Sequence, residues 1–460
     1  MPHRSRPARG RRGARARDRA DRGVRAARRR RTRAGGDLTT RRGGRPGPTR
    51  GGDRPAAASR AWRDRQTDRR TSGARAAGRP AAPRPVASTS VELTYLPGLR
   101  DVLADEVADV LPGVRGVRDV PGRDDALALT LPGPLAAVTG LRTAVAAWVV
   151  VHLDVPRPKS FTSPEHMGRI VDAVYASLRV AGSSTFRFEA AGADSAVFAR
   201  LAGMLHEATG LQHDPDEGDL VVRVRRGARS AAARPAAAAR PAGRAAGHDV
   251  DPGWDVLVRV GPRPLSARTW RVADFPGAAN ATIAAAVARL AGVRAEDRVL
   301  NLMAGSGTLL VERLLAGPAA AAVGVDLDPA ALDAARANLE AARLLARPPR
   351  PVLLRADATD ADALAAAVLG PLGGPADVVL ADPPWGTLHG SHADAPRLHA
   401  GLLRAAHAAS ARGARLVVLT HEVKVMERVV RDASDLWLPR SATRVFAKGH
   451  HPRIHVLDRR

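Results

Sequence analysis

The chain has no cysteine, and that absence removes disulfides, thiolate zinc sites, iron–sulfur clusters and cysteine nucleophiles together. Lysine is almost missing, with only Lys159, Lys424 and Lys448 in 460 residues, while Ala, Arg, Gly and Pro are abundant, as codon bias in a GC-rich gene produces. No apolar run reaches the roughly 20 residues that span a bilayer; the run at 144–151 stops at His152-Leu153-Asp154. The expectation is a soluble, cytoplasmic protein without membrane or metal partners.

Basic charge is plentiful but unevenly placed. Residues 1–88 hold 28 arginines against six acids, a net +22 of the chain's +26, so the other 372 residues carry only +4. The basic excess therefore describes this segment and not a folded nucleic-acid surface. Its apolar residues are only Val24, Leu38, Trp62 and Val86 among Arg, Gly, Ala and Pro, too few for a core, so a disordered tail is expected. A basic arm that tethers RNA is one reading; dispensable or translated upstream sequence is the simpler one. The segment lacks the amphipathic stripe of a transit peptide.

From residue 89 onward the pattern becomes that of folded protein. Alternation at 91–96, the Pro97-Gly98 turn and helical spacing of Leu99, Val102, Leu103, Val107 and Val110 predict a strand and a helix. Further strands are expected at 126–131, 184–189 and 219–225, with a helix after 131 and another over 195–209, giving a small α+β module. The Ala/Arg/Pro stretch 227–250 reads as a linker. Beyond it, strands at 298–302, 320–326, 351–356, 376–381 and 414–420 alternate with helices near 307–316, 329–346, 360–369, 395–411 and 422–433, the signature of a doubly wound α/β sheet. The segments 443–446 and 453–457 then suggest a closing antiparallel hairpin, which class I methyltransferases have and dinucleotide dehydrogenases lack.

Two motifs carry the chemistry. Gly305-Ser306-Gly307-Thr308 follows a strand and opens a helix, where backbone N–H groups face a ligand. The third glycine of a dinucleotide fingerprint is replaced by Leu310, which disfavours a pyrophosphate and suits S-adenosylmethionine. Asp326 ends the next strand, placed to accept the ribose hydroxyls, and Asp357 ends the third, placed to meet the adenine amino group. Helix capping is the plainer role for Asp328 and competes at Asp357.

The second motif is Asp382-Pro383-Pro384-Trp385, after the apolar run 378–381. A Pro-rich turn after a buried strand would explain it structurally. The carboxyl end of a central strand, however, is where ligands bind. An exocyclic base amine is a poor nucleophile while its lone pair is delocalised into the ring. Two acceptors, Asp382 Oδ and the Pro383 carbonyl, would favour a pyramidal nitrogen, and Trp385 offers a stacking face. That combination points to methyl transfer to an exocyclic base nitrogen, with positioning as the main catalytic effect. Arg223 and Arg225, with Arg187 and Arg226 close by, could contact phosphates or be ordinary surface arginines. His389, His392, His450 and His451 lack carboxylates at ligand spacing and read as polar loop residues.

Phe275-Pro-Gly-Ala-Ala-Asn-Ala-Thr282, the stretch 301–308, Gly324-Val-Asp-Leu-Asp-Pro329 and Asp382-Pro-Pro-Trp-Gly386 resemble the catalytic domain of THUMP-containing RNA methyltransferases that form N2-methylguanosine in tRNA. Tyr95-Leu-Pro-Gly-Leu-Arg-Asp-Val-Leu103 resembles their N-terminal ferredoxin-like piece, and 158–226 a diverged THUMP domain. The resemblance covers about 89–460. It leaves the tail (1–88) unexplained and, with the linker (227–250) read from composition, implies a ferredoxin-like segment (89–157), a THUMP-like RNA-binding domain (158–226) and a methyltransferase domain (251–460). By the same resemblance, Gly305, Ser306, Gly307 and Asp326 bind S-adenosyl-L-methionine and Asp357 meets its adenine. Asn280 and Thr282 fall where relatives contact cofactor or substrate, although N-capping suits either. Asp382, Pro383, Pro384 and Trp385 hold the guanine. Where the family reads Asp-Pro-Phe-Cys, this chain has Asn301-Leu302-Met303-Ala304, so an amide replaces a pocket carboxylate. Other targets of the same chemistry are guanine in ribosomal RNA and an adenine amino group in DNA; a non-catalytic RNA-binding protein is a further alternative.

Overall fold

The computed structural model describes residues 88–227, 251–384, 394–446 and 449–460. The arginine-rich tail, the 228–250 linker, Trp385, His389 and His392 lie outside the described residues.

The first half comprises β1 (Ser88–Tyr95), α1 (Arg100–Val110), β2 (Arg115–Asp119), β3 (Ala126–Pro132), β4 (Ala144–Leu153), α2 (Pro164–Val180), β5 (Thr185–Glu189), α3 (Ala196–Thr209), β6 (Gln212–His213), β7 (Leu220–Arg226) and β8 (Trp254–Arg259). The helix expected after residue 131 is only a short 3-10 turn, Leu135–Gly140. Helix α2, absent from the sequence reading, is capped by Ser163, whose side chain accepts from His166 N–H. The apolar run at 144–151 is a central strand. With Ala146, Ala147 and Trp148 all buried, both faces of β4 are covered, and a strand covered on both faces needs no alternation.

These strands form one eight-stranded sheet in the order β2-β3-β1-β4-β8-β7-β5-β6. Strand β8 is antiparallel to both β4 and β7, so it joins the two N-terminal segments into one sheet over one continuous core. A domain boundary at residue 251 cuts this strand from its sheet; the change of sheet comes after Arg259. Charge on this half is answered internally. Arg225 makes a two-pronged pair with buried Glu92, Arg223 pairs with Glu189 at 2.7 Å and lies 4.2 Å from the Trp148 ring centroid, Arg226 pairs with Asp251 at 3.1 Å, and Arg187 is 3.8 Å from Glu189. The sequence leaves these four open between phosphate contacts and ordinary surface arginines, and neither reading foresees their acidic partners.

The second half adds α4 (Ala281–Ala291), β9 (Arg298–Leu302), α5 (Thr308–Ala316), β10 (Ala321–Asp326), α6 (Pro329–Ala341), β11 (Val352–Arg355), α7 (Ala361–Leu372), β12 (Ala376–Ala381), α8 (Ala395–Ala408), β13 (Ser410–Thr420), α9 (Val423–Asp432), β14 (Trp437–Arg444) and β15 (Arg453–Arg459). Its sheet runs β11-β10-β9-β12-β13-β15-β14. All pairs among the first five strands are parallel, and β15 is antiparallel to β13 and β14. This is the methyltransferase-like α/β order with its closing hairpin. Chain order reverses between the neighbours β9 and β12, so their carboxyl ends open the crevice that such sheets use for ligands. Asp377 fixes that register: its carboxylate accepts from Arg298 N–H (2.9 Å), Nε (2.9 Å) and Nη2 (3.0 Å), tying β12 to β9 at their amino ends.

The halves are joined by packing and charge. Leu99 and Val102 of α1 share a core with Ala284 and Val287 of α4. Gly98, at φ +96°, lies so close to the hairpin that an added Cβ would sit 1.9 Å from the Arg444 carbonyl oxygen. Glu312 of α5 is fully buried and accepts from Arg142 Nε (2.6 Å) and Arg268 Nε (2.8 Å), while Arg268 Nη2 donates to the Arg142 carbonyl at 2.6 Å.

Candidate active site

After β9 the backbone turns through Met303 (φ +50°), Gly305 (φ +53°) and Gly307 (φ +75°) into α5. Each glycine has its own reason. A Cβ on Gly305 would meet open space, leaving backbone exposed to a ligand, whereas one on Gly307 would lie 3.0 Å from Ala335 Cβ. Gly307 therefore lets α5 pack on α6 and does not line the cleft; Gly305 and Ser306 do.

That cleft has a volume of about 430 Å³ and is lined by Asn301, Gly305, Asp326, Asp357 and Asp382 among others. The carboxylate of Asp326 accepts from Gly305 N–H (2.8 Å) and Asp328 N–H (3.0 Å), which aims it across the glycine turn. Asp328 is the cap of α6, accepting from Ala330 N–H at 2.8 Å. Asp357 does not cap α7, since Asp360 does so through Ala363 N–H. Instead Asp357 Oδ1 accepts from the Thr359 N–H (2.8 Å) and hydroxyl (2.7 Å), which orients the carboxylate at the cleft.

Asn280 and Thr282, expected near cofactor or substrate or as helix caps, stand at the start of α4. Asn280 caps α4, its Oδ1 accepting from Thr282 N–H (2.8 Å) and Ile283 N–H (3.4 Å), and Thr282 is fully buried in that helix. Neither lines that cleft, but Asn280 lines a neighbouring cavity that Asp382 also lines. Helix initiation takes Asn280 Oδ1, while Thr282 Oγ1 is buried with no partner among the described residues.

Three more polar residues shape the site: Asn301, noted in the sequence as an amide in place of a carboxylate, and Asn338 and Arg271, which the sequence does not single out. Asn301 is buried and donates both Nδ2 hydrogens, to the Leu302 and Leu380 carbonyls at 3.2 Å, while its Oδ1 has no partner among the described residues. Asn301 is among the residues lining the cleft, and a buried acceptor without a partner suits a cationic ligand group. Asn338 of α6 is fully buried. It accepts from Val272 and Ala273 N–H and donates to the Ala273 and Ser306 carbonyls, stapling the segment before Phe275 to the glycine turn. Arg271 donates to the Ala279 carbonyl (2.7 Å) and the Thr308 hydroxyl (3.1 Å). Asn338 and Arg271 become visible only when distant segments meet.

Asp382 stands directly beyond β12. Part of it opens on the cleft, and loss of water around the carboxyl pushes its pKa up to about 7. It also lines a second cavity of about 370 Å³, with Arg268, Arg271, His421 and His450 on its walls. The residue thus stands where two pockets meet. Its neighbours Pro383 and Pro384 line the first pocket. Among the described residues no three His, Asp or Glu side chains are grouped to hold a metal ion.

The open face of Gly305, the orphaned Asn301 Oδ1 and the two strand-end carboxylates form a donor set that fits S-adenosylmethionine, with its ammonium, ribose and adenine amino groups. Comparisons with known proteins agree. Residues 268–453 match the family described as RMKL-like, methyltransferase domain. The chain is 28% identical over 380 residues to a tRNA (guanine(6)-N2)-methyltransferase from Thermus thermophilus, a match covering 80% of this chain and 99% of that protein. It is also similar to the crystal structure of TrmN from Thermus thermophilus, at 26% identity and a TM-score of 0.56, covering 81% of this chain and 100% of that one. A methyltransferase structure complexed with SAH, SMU.472, shares the fold at 10% identity and a TM-score of 0.51, covering 80% of this chain and 97% of the other. Sheet order, cleft chemistry and family match converge: the chain is an enzyme, a class I methyltransferase that uses S-adenosylmethionine.

Proposed function

We propose that this protein methylates the exocyclic N2 of a guanosine in tRNA. The observation that carries the reading is the placement of Asp382-Pro383-Pro384 at the end of β12, with Asp382 facing both cavities. The likeness to a tRNA guanine-N2 methyltransferase over nearly its whole length supports the choice of base and RNA.

In this reading Asn301 Oδ1 faces the cofactor's ammonium group, Asp326 its ribose, Asp357 its adenine amine, and Gly305 lets it approach the backbone. The cofactor supplies an electrophilic methyl group on sulfur. Asp382 Oδ and the Pro383 carbonyl accept from the guanine N2 hydrogens, which holds the amine pyramidal and aims its lone pair at that methyl. Once the amine has taken the methyl group, Asp382 Oδ would accept the proton it sheds. Trp385 stacks on the base. Arg268 and Arg271 supply positive charge at the second cavity. The eight-stranded sheet holds the RNA, with 158–226 as its THUMP-like portion and β8 as its last strand. Purified protein, S-adenosylmethionine and unmodified tRNA should yield N2-methylguanosine on nucleoside mass spectrometry; yield of N6-methyladenosine alone would refute the proposal.

Two further outcomes follow. Asp326→Ala should weaken S-adenosylmethionine binding by about 1.5–3 kcal/mol, the range for hydrogen bonds to a charged group, as read by calorimetry; unaltered affinity would exclude a ribose contact. The second concerns pH. The carboxylate is the accepting form and the carboxyl pKa is raised to about 7, so the single-turnover rate should rise through pH 6 and 7 and level off above 8. A flat profile from pH 5.5 to 8.5 would contradict a role for ionised Asp382.

A further inference from the structure

The second cavity is lined, together with Asp382, by two histidines to which no role has yet been given, His421 and His450. Strand β13 lies beside β12 in parallel register, Ala381 against Val418, so Asp382 and His421 leave adjacent strands at the same edge of the sheet. On the other side Thr420 pairs with Arg453 of β15, bringing Pro452 and His450 to the same rim. The His421 and His450 rings meet edge to face, with centroids 5.6 Å apart and planes at 81°.

The turn that carries His421 is pinned from below. His399 is fully buried, and its Nδ1–H donates to the Ala395 carbonyl at 2.8 Å. Burial lowers the His399 pKa, so the ring is neutral and Nε2 accepts from the Thr420 hydroxyl at 3.1 Å. The same Thr420 oxygen accepts from Glu422 N–H at 3.0 Å. A chain of three hydrogen bonds thus brackets position 421. The cavity, about 370 Å³, falls in the roughly 300–1,000 Å³ range of small-ligand pockets.

The chemistry of a purine edge then separates the two bases. When guanine presents N2 to Asp382, the next groups along its edge are the N1–H donor and the O6 acceptor. When adenine presents N6, the next group is N1, an acceptor. Arginine at that place can only donate. A neutral imidazole has one acceptor nitrogen, and His421 is neutral at pH 7: burial first, then the neighbouring His450, lowers its pKa to about 4.

We propose that His421, braced by the His450 ring, reads the target base by accepting the guanine N1–H while Asp382 holds N2. This rests on the guanine reading above and adds the residue that selects it. A site built to pair a substrate N–H discriminates far more strongly than one that merely fits its shape.

The test uses the full chain and the tRNA transcript it methylates, remade with 2-aminopurine at the mapped target. That analogue keeps the 2-amino group but has an acceptor at N1 and no O6. Wild type should favour the guanosine transcript by about a hundredfold or more in kcat/KM. His421→Ala should cut kcat/KM on guanosine by about tenfold to a hundredfold and leave the 2-aminopurine rate unchanged, so that the preference collapses. His421→Gln, whose amide oxygen accepts, should recover part of it. Calorimetric S-adenosylmethionine affinity equal to wild type verifies the fold of each variant. Equal loss on both transcripts, or no loss on either, would overturn the role of His421 while the guanine reading stands. No N2-methylguanosine from wild type on the guanosine transcript would overturn both.

Discussion

Replacing Asp382 by Ala should lower the single-turnover rate of methyl transfer by about a hundredfold to a thousandfold, the scale seen when a preorganised polar group at a reacting centre is removed. S-adenosylmethionine affinity should stay nearly unchanged, because Asp326, Asp357 and Asn301 remain. Asp382→Asn sharpens the result. The amide keeps one acceptor oxygen and loses the charge, so intermediate activity and a flat pH profile are expected. The two variants should also reveal a cost in stability. A carboxyl whose pKa is raised to about 7 binds its proton more tightly folded than unfolded, so ionising it opposes folding as pH climbs from its ordinary range to 7 and beyond. Asp382→Asn should therefore raise the melting temperature at pH 8 and leave it little changed at pH 4. Wild-type turnover by Asp382→Ala, measured with tRNA from a strain lacking the gene, would remove this residue from the chemistry.

Glu312→Ala should destabilise the protein by about 3–5 kcal/mol in urea titrations, as expected when one member of a buried ionic cluster is deleted and its partners stay charged. Arg142 retains about a quarter of its side-chain exposure and can turn to water; Arg268, at 8%, cannot. Removing both charges together should thus restore much of the loss, and Arg268→Met with Glu312→Leu is the pair to compare with Glu312→Ala. A loss below about 1 kcal/mol would place the cluster with ordinary surface pairs. Because Glu312 lies on the helix that opens at the glycine turn, its loss should also loosen the eight-stranded sheet from the methyltransferase half, lowering kcat/KM for tRNA more than S-adenosylmethionine affinity.

The parts of this molecule legible in its sequence are those governed by local rules. Strands β9, β10 and β12 announce themselves as short apolar runs ended by a glycine turn or an acid, because strands covered on both faces need no polar alternation. Gly305, Asp326, Asp357 and Asp382 come from four strand ends, and the sheet order alone brings them to one cleft. What local rules miss is decided by pairing across distance. Edge strand β2, Arg-Gly-Val-Arg-Asp, is exposed throughout and has no pattern to read. Strand β8 looks like the start of the second half until β4 and β7 are seen on either side. Asn280 both caps α4 and lines the second cavity, two roles that share one signature in sequence. The acids that answer Arg223 and Arg225 sit 34 and 133 positions away. His421 and His450 meet only because β13 and β15 pair.

The most direct test compares the modified nucleosides of tRNA, ribosomal RNA and DNA in a strain lacking the gene and in its parent, by mass spectrometry. The account predicts a fall in N2-methylguanosine in tRNA alone, restored by the wild-type gene and not by Asp382→Ala. Unchanged N2-methylguanosine in tRNA, with a loss from ribosomal RNA or of N6-methyladenine from DNA, would contradict it.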